Sequence, residues 1–327
     1  MNFRLTSLSF GVALVLLCLC PEPLSAWGAR GHQITARIAA KHLTSKAREK
    51  VFALLKDDPR AKSILKDRSP NDVDAIGDAM AAVAMFADVV KNTSAQETRE
   101  WHFHDLAKND GPSNAASRCP GNDCVSVRLR ELVDGLKTGT PLQTANNTFR
   151  STAQLKFAIH FFGDIHQPLH CATNADAGGN CLKTEADFGA SQLHATRDGG
   201  LVDELFKDEH GHSLTEVQVA RSNNKRFGVR FAQIVVKQDT LAIALESHDV
   251  AFEKAYGPII AEKLVSVFPF QRVSPKCNVP PLPPQELRDM EPVNIGDLYN
   301  DSTVDTVSAQ LAKGGFRLAD SLNRSFP

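Results

Sequence analysis

The stretch His160-Phe161-Phe162-Gly163-Asp164-Ile165-His166-Gln167-Pro168-Leu169-His170 decides how this chain is read. It packs three histidines and an aspartate into eleven residues. His160 and Asp164 are four apart, which places both on one face of a helix. Gln167-Pro168 then ends that helix, because the residue before a proline is pushed out of the helical region. His170 can thereby return to the same locus from a loop. Two imidazoles and a carboxylate converging on one point suit a divalent cation, with zinc the first candidate. The competing reading is a buried helix whose polar residues satisfy one another, and one His/Asp pair alone would leave that reading ahead.

A second pair shifts the balance. His194 and Asp198 repeat the spacing of four in Gln192-Leu193-His194-Ala195-Thr196-Arg197-Asp198. Trp101-His102-Phe103-His104-Asp105 forms a third group, and Trp27-Gly28-Ala29-Arg30-Gly31-His32 a fourth. Eleven histidines are only a mild excess, so the signal is their placement. It predicts a multinuclear metal site.

Further out, residues 1–26 read as a secretory signal peptide. Arg4 precedes an apolar run over 8–20 that is too short to span a bilayer comfortably, and Leu24-Ser25-Ala26 puts small residues before a cleavage point. The mature chain then begins at Trp27 and forms one domain over 27–327, secreted or periplasmic and without a membrane anchor. Cleavage there creates an α-amino group with a reference pKa of about 8. That amine and the Trp27 carbonyl can chelate one metal, with His32 a helical turn beyond; the plainer role for Trp27 is to anchor the first helix. Cys18 and Cys20 leave with the signal. Cys119-Pro-Gly-Asn-Asp-Cys124 reads as a small loop closed by a disulfide. Cys171 and Cys181, flanking Gly178-Gly179-Asn180, are expected to close a second, leaving Cys277 over.

Hydrophobic residues make up 42% of the chain, enough for a real core, and the net charge is −1. A protein gripping nucleic acid through lysines and arginines would be more basic. Any phosphate binding must draw its positive field from elsewhere, and a cluster of divalent metals provides one. Helical periodicity dominates. Ile34, Ile38, Ala39 and Leu43 share one face, and helices are expected over 79–90, 127–136, 152–165, 227–252 and 304–322. The run over 152–165 is apolar almost all round and marks a central buried helix. Short strands are expected over 101–105 and 200–206. Loops rich in Gly, Pro and Asn cover 107–123, 172–192 and 274–296. The fold class is all-α, a mainly helical single domain with little β structure.

These residues carry a resemblance. The chain resembles the S1/P1 nuclease family, secreted zinc-dependent nucleases that prefer single strands and share an all-α fold with zinc-dependent phospholipase C. The matching pieces are Trp27-Gly-x-x-Gly-His32, Phe86-Ala87-Asp88, Trp101-His102-Phe103-x-Asp105, the His160–His170 block, Gly178-Gly179-Asn180 and Leu193-His194-x-x-x-Asp198. Weaker echoes follow at Glu246-Ser247-His248 and around Arg317. The resemblance implies a trinuclear zinc cleft. One zinc would sit on Asp88, His102, His160 and Asp164. A second would sit on His170, His194 and Asp198. A third would sit on the Trp27 amine and carbonyl, His32 and again Asp164. It further implies catalytic roles for Asp88, Asp164 and Lys91. Phe103 would stack on a base, Asp105 would bond its edge, and Asn180 would contact phosphate. The implied activity is endonucleolytic hydrolysis of single-stranded RNA and DNA to 5′-phosphate products, with 3′-nucleotidase activity, by a monomer without a stable protein partner.

Three positions depart from the family pattern. Arg197 and Phe86 stand where tryptophan is usual. Lys91 stands where arginine is common; it keeps the charge but loses the fork geometry. His166 and His104 are read as core or supporting residues, and His42, His210, His212 and His248 as surface or core. Asn92, Asn146, Asn300 and Asn323 sit in N-x-S/T sequons, used only in a eukaryotic secretory route. The competing functions are a zinc phospholipase C, which uses the same metal geometry, and a catalytically weak secreted metal-binding protein, which Arg197 and Lys91 would fit.

Overall fold

Helices carry the structure, a computed structural model describing residues 27–185, 188–236, 239–299 and 301–327. The signal reading of 1–26 and the Asn300 sequon lie outside those residues. Helix α1 (Gly28–Lys41) turns Ile34, Ala36, Ile38 and Ala39 inward and keeps Arg30 and Arg37 toward solvent. Helix α2 (Ser45–Leu55) starts where the Thr44 hydroxyl accepts from Ala47 N–H, and α3 (Val73–Val83) where Asp72 accepts from Ala75 N–H. A short α4 (Phe86–Lys91) follows. Helix α5 (Val125–Thr138) is stopped by Gly139 in the left-handed region, and α6 (Ser151–Asp164) stops before Gln167-Pro168. Helix α7 (Glu216–Phe227) opens with a reciprocal capping box between Thr215 and Gln218. Helix α8 (Thr240–Val250) is capped by Asp239, and α9 (Asp301–Ser325) is the longest. Among the described residues the only paired strands are Leu142–Gln143 and Thr148–Phe149, one antiparallel hairpin.

Two apolar clusters meet where the site lies. The first gathers Trp101, Phe157, Phe161, Phe162 and Ile165 with residues of α2, α3 and α5. The second gathers Trp27, Leu169, Leu193, Leu201, Leu311 and Phe316. Helix α1 serves both, with Ala36 and Ala39 in one and Ile34 and Ile38 in the other. His160 and Asp164 are flanked in sequence by members of the first cluster, His194 follows Leu193 of the second, and His170 stands between Leu169 of the second and Cys171 of the first. Apolar burial from both sides therefore sets the polar residues at the seam. Each fully buried phenylalanine there is worth about 1.5–3 kcal/mol.

Several expectations need correction. Residues 101–105 are not a strand: Gln96–His102 is a 3-10 helix. The extended chain after it is held by single bonds, His104 N–H to the His170 carbonyl and Val125 N–H to the Phe103 carbonyl, and pairs with no strand among the described residues. Residues 200–204 are helical, a wide π turn over Thr196–Gly200 running into Leu201–Glu204, and Leu205 and Phe206 form a turn. The stretch 79–90 is two helices parted at Ala84-Met85. The stretch 227–252 is also broken: α7 ends at Phe227, Gly228–Arg230 tightens to a 3-10 turn, and Asp239 begins a new helix. The second disulfide joins Cys181 to Cys277, whose Cα atoms are 5.4 Å apart. Cys171 is a free, fully buried thiol in the first apolar cluster, bonded to the Ile165 carbonyl, and it points away from Cys181's loop into the core. The Cys119–Cys124 bridge forms as expected.

Candidate metal centre

Helix α6 supplies His160 and Asp164 from one face, with His160 Nε2 3.4 Å from Asp164 Oδ2. His32 arrives from α1, and its ring stacks on that of His160 with centroids 3.8 Å apart. Gly163 makes this approach feasible, because a Cβ there would lie 2.5 Å from His32 Nδ1. His102, at the end of its 3-10 helix, puts Nδ1 2.8 Å from Asp164 Oδ2. Asp88, from α4, lies 3.7 Å from His160 Nε2 and 3.8 Å from His102 Nδ1. His170 swings back after Pro168 to within 3.8 Å of Asp164 Oδ1. His194 and Asp198 meet at 3.1 Å across one turn.

The ligand-type atoms fall into three groups, each within 4.8 Å: His32, His160 and Asp164; Asp88, His102 and His160; His170, His194 and Asp198. All of these residues are buried. The structure thus brings together the eight side chains singled out in the sequence. Trp27 joins them through its backbone, with its nitrogen 3.3 Å from Asp198 Oδ1 and its indole N–H donating to the Gly163 carbonyl at 2.8 Å. Its carbonyl accepts from Gly31 N–H.

The rings are aimed from behind. Nδ1–H of His160 donates to the Ala84 carbonyl, that of His170 to the His102 carbonyl, and that of His194 to the Gly178 carbonyl, at 2.7–2.9 Å. This fixes the tautomer and turns each Nε2 lone pair to the centre. Gln167 does the same for a carboxylate. Its Oε1 accepts from Leu169 N–H, so its amide must face Asp198, where it donates to Oδ1 at 2.6 Å and leaves Oδ2 for the centre. Among the described residues, Nε2 of His102, His160 and His170, Asp164 Oδ1 and Asp198 Oδ2 are buried without a hydrogen-bond partner. Leaving such atoms unmade costs about 1–3 kcal/mol each, and a bound cation removes the cost. Gln167 lies within the His160–His170 motif, but nothing in the sequence marks this role. The Ala84 and Gly178 carbonyls leave no side-chain signal at all.

The electrostatics agree. Burial holds His102, His160 and His170 below the ordinary histidine range, as neutral donors. Burial would raise Asp88, but His160 and Lys91 outweigh it and hold its carboxyl far down. Burial and the neighbouring Asp88 push Asp164 well up. At His194 burial opposes the charge, yet Asp198 outweighs it and lifts the imidazole above its usual value. Three aspartates this close cannot all ionise without counter-cations. The nitrogen and oxygen donor set fits zinc.

The remaining candidates lie around this centre. Lys91 is buried and its ammonium contacts Asp88 Oδ1. Phe103 is half-buried, its ring centroid 4.5 Å from that of His170. Asp105 is half-buried on a pocket beside Phe103, and burial, helped by Glu100, pushes its carboxyl up to about 6. Asn180 is buried and donates to the Ala177 carbonyl. Its turn needs glycine at 178, where φ is +63° and a Cβ would lie 2.5 Å from the Leu169 carbonyl. Arg197 is wholly buried, with Nη1 3.4 Å from the Lys254 carbonyl and its guanidinium near the Tyr299 ring, so it packs behind the centre. His166 accepts from Arg317 and donates to the Phe162 carbonyl, a core role, and His104 bonds Ser126 and the Ala115 carbonyl. His248 is likewise buried, while His210 and His212 are exposed and His42 is half-buried.

Comparison with known proteins places this geometry. A family model described as S1/P1 Nuclease matches residues 27–327. Endonuclease 3 of Arabidopsis thaliana is 24% identical over 323 residues, 96% of this chain and 94% of that protein. Nuclease P1 of Penicillium citrinum is 26% identical over 307 residues, 91% and 97% of the two chains. Nuclease S1 of Aspergillus oryzae is 30% identical over 190 residues, 58% of each. The chain therefore belongs to the S1/P1 nuclease family and is a hydrolytic phosphodiesterase.

Proposed function

We propose that this protein is a secreted, zinc-dependent endonuclease that hydrolyses single-stranded RNA and DNA to 5′-phosphate products and also acts as a 3′-nucleotidase. The observation that carries this reading is the set of orphaned donor atoms in three buried, mutually close His/Asp groups. Three zinc ions fit them. One set of donors is Asp88, His102, His160 and Asp164. Another is His170, His194 and Asp198. The third is the Trp27 amine and carbonyl with His32 and Asp164. Zinc held there supplies Lewis-acid charge for the phosphate and a water whose pKa is lowered toward neutrality.

The chain's own residues do the rest. Lys91 keeps a cation beside Asp88, where negative charge grows as phosphorus gains a fifth oxygen. Phe103 offers a half-buried ring face beside the centre, and stacking on it accepts the unpaired bases of a single strand. Asn180 spends one amide hydrogen on Ala177 and keeps the other for a phosphate oxygen. With a net charge of −1 the protein has no general grip on duplex backbone. Secretion fits two disulfides, and no helix among the described residues is long and apolar enough to cross a membrane.

The test is a zymogram on denatured DNA and RNA beside a phosphatidylcholine assay, with elemental analysis of protein purified without chelators. Cleavage of both polynucleotides, an inert lipid and close to three zincs per chain are expected. Lipid cleavage alone, or one zinc or fewer, overturns the proposal.

A further inference from the structure

A pocket of about 240 Å³ opens beside the metal centre. Phe103 forms one wall, and its ring also touches the His170 and His194 side. Another part of the lining comes from far along the chain. Phe270 stands there with the Arg118 guanidinium stacked 3.7 Å above its ring, and Asp110 grips Arg118 at 2.6 and 3.1 Å. The rim carries Glu100, Asp105 and Arg272. Aromatic lining with charged groups beside it suits a planar, polar-edged ring, and the pocket has room for a bicyclic base.

The edge groups are not equivalent. Arg272 pairs with Glu100. Asp123, also in the lining, is occupied by the Trp101 indole N–H and by Arg128. No hydrogen bond or ion pair to the Asp105 carboxylate is found among the described residues; only burial and the charges of Glu100, Arg272, Asp176 and His194 act on it. An ionised carboxylate is acceptor-only and presents two oxygens side by side. Among the common bases only guanine offers two adjacent donors on its pairing edge, N1–H and the 2-amino group. Adenine and cytosine offer one donor beside one acceptor, and uracil one donor between two acceptors. For those three the second Asp105 oxygen meets a lone pair or nothing.

We propose that this pocket selects guanine: the base stacks on Phe103, Asp105 accepts from N1–H and the 2-amino group, and Arg272 is the cation on the same rim for O6. The inference rests on the nuclease reading. The family resemblance puts a base against Phe103 and Asp105, and the identity of that base is the added step.

The experiment measures binding of GMP, AMP, CMP and UMP by calorimetry, and hydrolysis of GpG, ApA, CpC and UpU, at pH 8 where Asp105 is ionised. A bidentate pair gives guanine about a tenfold or larger advantage in both Kd and kcat/KM. Asp105→Asn replaces two acceptors by one acceptor and one donor, so its preference should move to adenine and cytosine. Arg272→Gln, at an exposed site, should weaken guanine alone. Equal affinity for all four nucleotides, or an unchanged order in Asp105→Asn, overturns the proposal. An unchanged guanine affinity in Arg272→Gln overturns the part given to Arg272. Selective binding with no dinucleotide cleaved would strike the endonuclease reading and leave the base site standing. Cleavage without base preference would do the reverse.

Discussion

In the metal centre the ligand atoms come from helices and their ends and lie buried, and His160, His170, His194 and Asp198 are aimed by a second bond from behind. In the pocket beside it the lining comes from short 3-10 turns and loops over 100–124 and from 270–272, and its Glu100–Arg272 pair is half-exposed to solvent. The two regions share Phe103 and little else. The difference is one of tolerance. A buried ligand set with fixed tautomers has no alternative arrangement, so removing one member leaves its neighbours with unpaired charge. A rim of exposed charges re-forms around a substitution, so its variants should change which substrate is preferred more than whether chemistry occurs.

The sharpest way to break this contrast is Asp164→Asn. Asp164 lies within reach of His32, His102, His160 and His170, whereas Asp198 meets His194 alone among the histidines. The expected loss of kcat/KM is on the order of a thousandfold, about 4 kcal/mol, with loss of zinc, and clearly larger than for Asp198→Asn. Zinc content and turnover that survive Asp164→Asn, as read by elemental analysis and kinetics, would end the claim that the centre has no slack. The amino terminus comes next. A protein retaining Ala26 before Trp27 turns the amine into an amide, which is not a neutral donor. Its turnover should fall about a hundredfold, about 3 kcal/mol, with partial zinc loss and a small change in KM. Intact mass must confirm both termini, and equal turnover would remove the amine from the mechanism.

The regions are also joined covalently, and cutting that link sharpens the comparison. Cys181 follows Asn180 directly, while Cys277 ends the loop bearing Phe270 and Arg272. The paired change Cys181→Ser with Cys277→Ser should lower unfolding stability by about 2–3 kcal/mol, seen by denaturant titration. It should blunt base discrimination while zinc content stays near its wild-type value. A drop in zinc as large as that in discrimination would mean the two regions are not separable.

How much of this was legible follows the same divide. His160 with Asp164, and His194 with Asp198, announce themselves because the helical period turns a spacing of four into a shared face. The Pro168 break told where His170 could go. The Ala84 and Gly178 carbonyls were invisible because backbone acceptors have no residue type. Gln167 was quoted yet unassigned, since its duty depends on Leu169 N–H fixing which end of the amide faces Asp198. The Cys171–Cys181 pairing failed for a related reason. Nearness in sequence favoured it, but apolar packing buries Cys171 beside Ile165 while the chain near 277 is brought to Cys181 by a long loop. Phe270, Arg118 and Arg272 carry no local pattern, so their pocket emerged only once distant loops were placed.

The smallest expected effect lies away from both regions. Glu246 accepts from Lys313 Nζ at 2.7 Å and Arg317 Nη2 at 2.8 Å. Burial would raise its carboxyl, but the bonds from Arg317 and Lys313 outweigh burial and hold it at about 2. A carboxyl lowered on folding stabilises above its unfolded pKa and loses that contribution as pH falls through the folded one. Stability should therefore decline between about pH 4.5 and 2, by on the order of 1–2 kcal/mol from this group. Glu246→Gln should flatten that part of the curve in urea titrations at stepped pH. An identical slope in the two proteins would discard the assignment.

The Cys181–Cys277 bridge has a bearing on time as well as on shape. The helices that hold His32, His160 and Asp164 need no oxidant to find one another, since apolar burial drives them together. The loop that carries Phe270 and Arg272 is held by Asn174, Glu100 and Arg118, and is tied covalently only once two thiols ninety-six positions apart have been joined. On the proposed base site, the metal ligands can therefore assemble before that last tie to the pocket forms, and the interval lasts until the two thiols are oxidised.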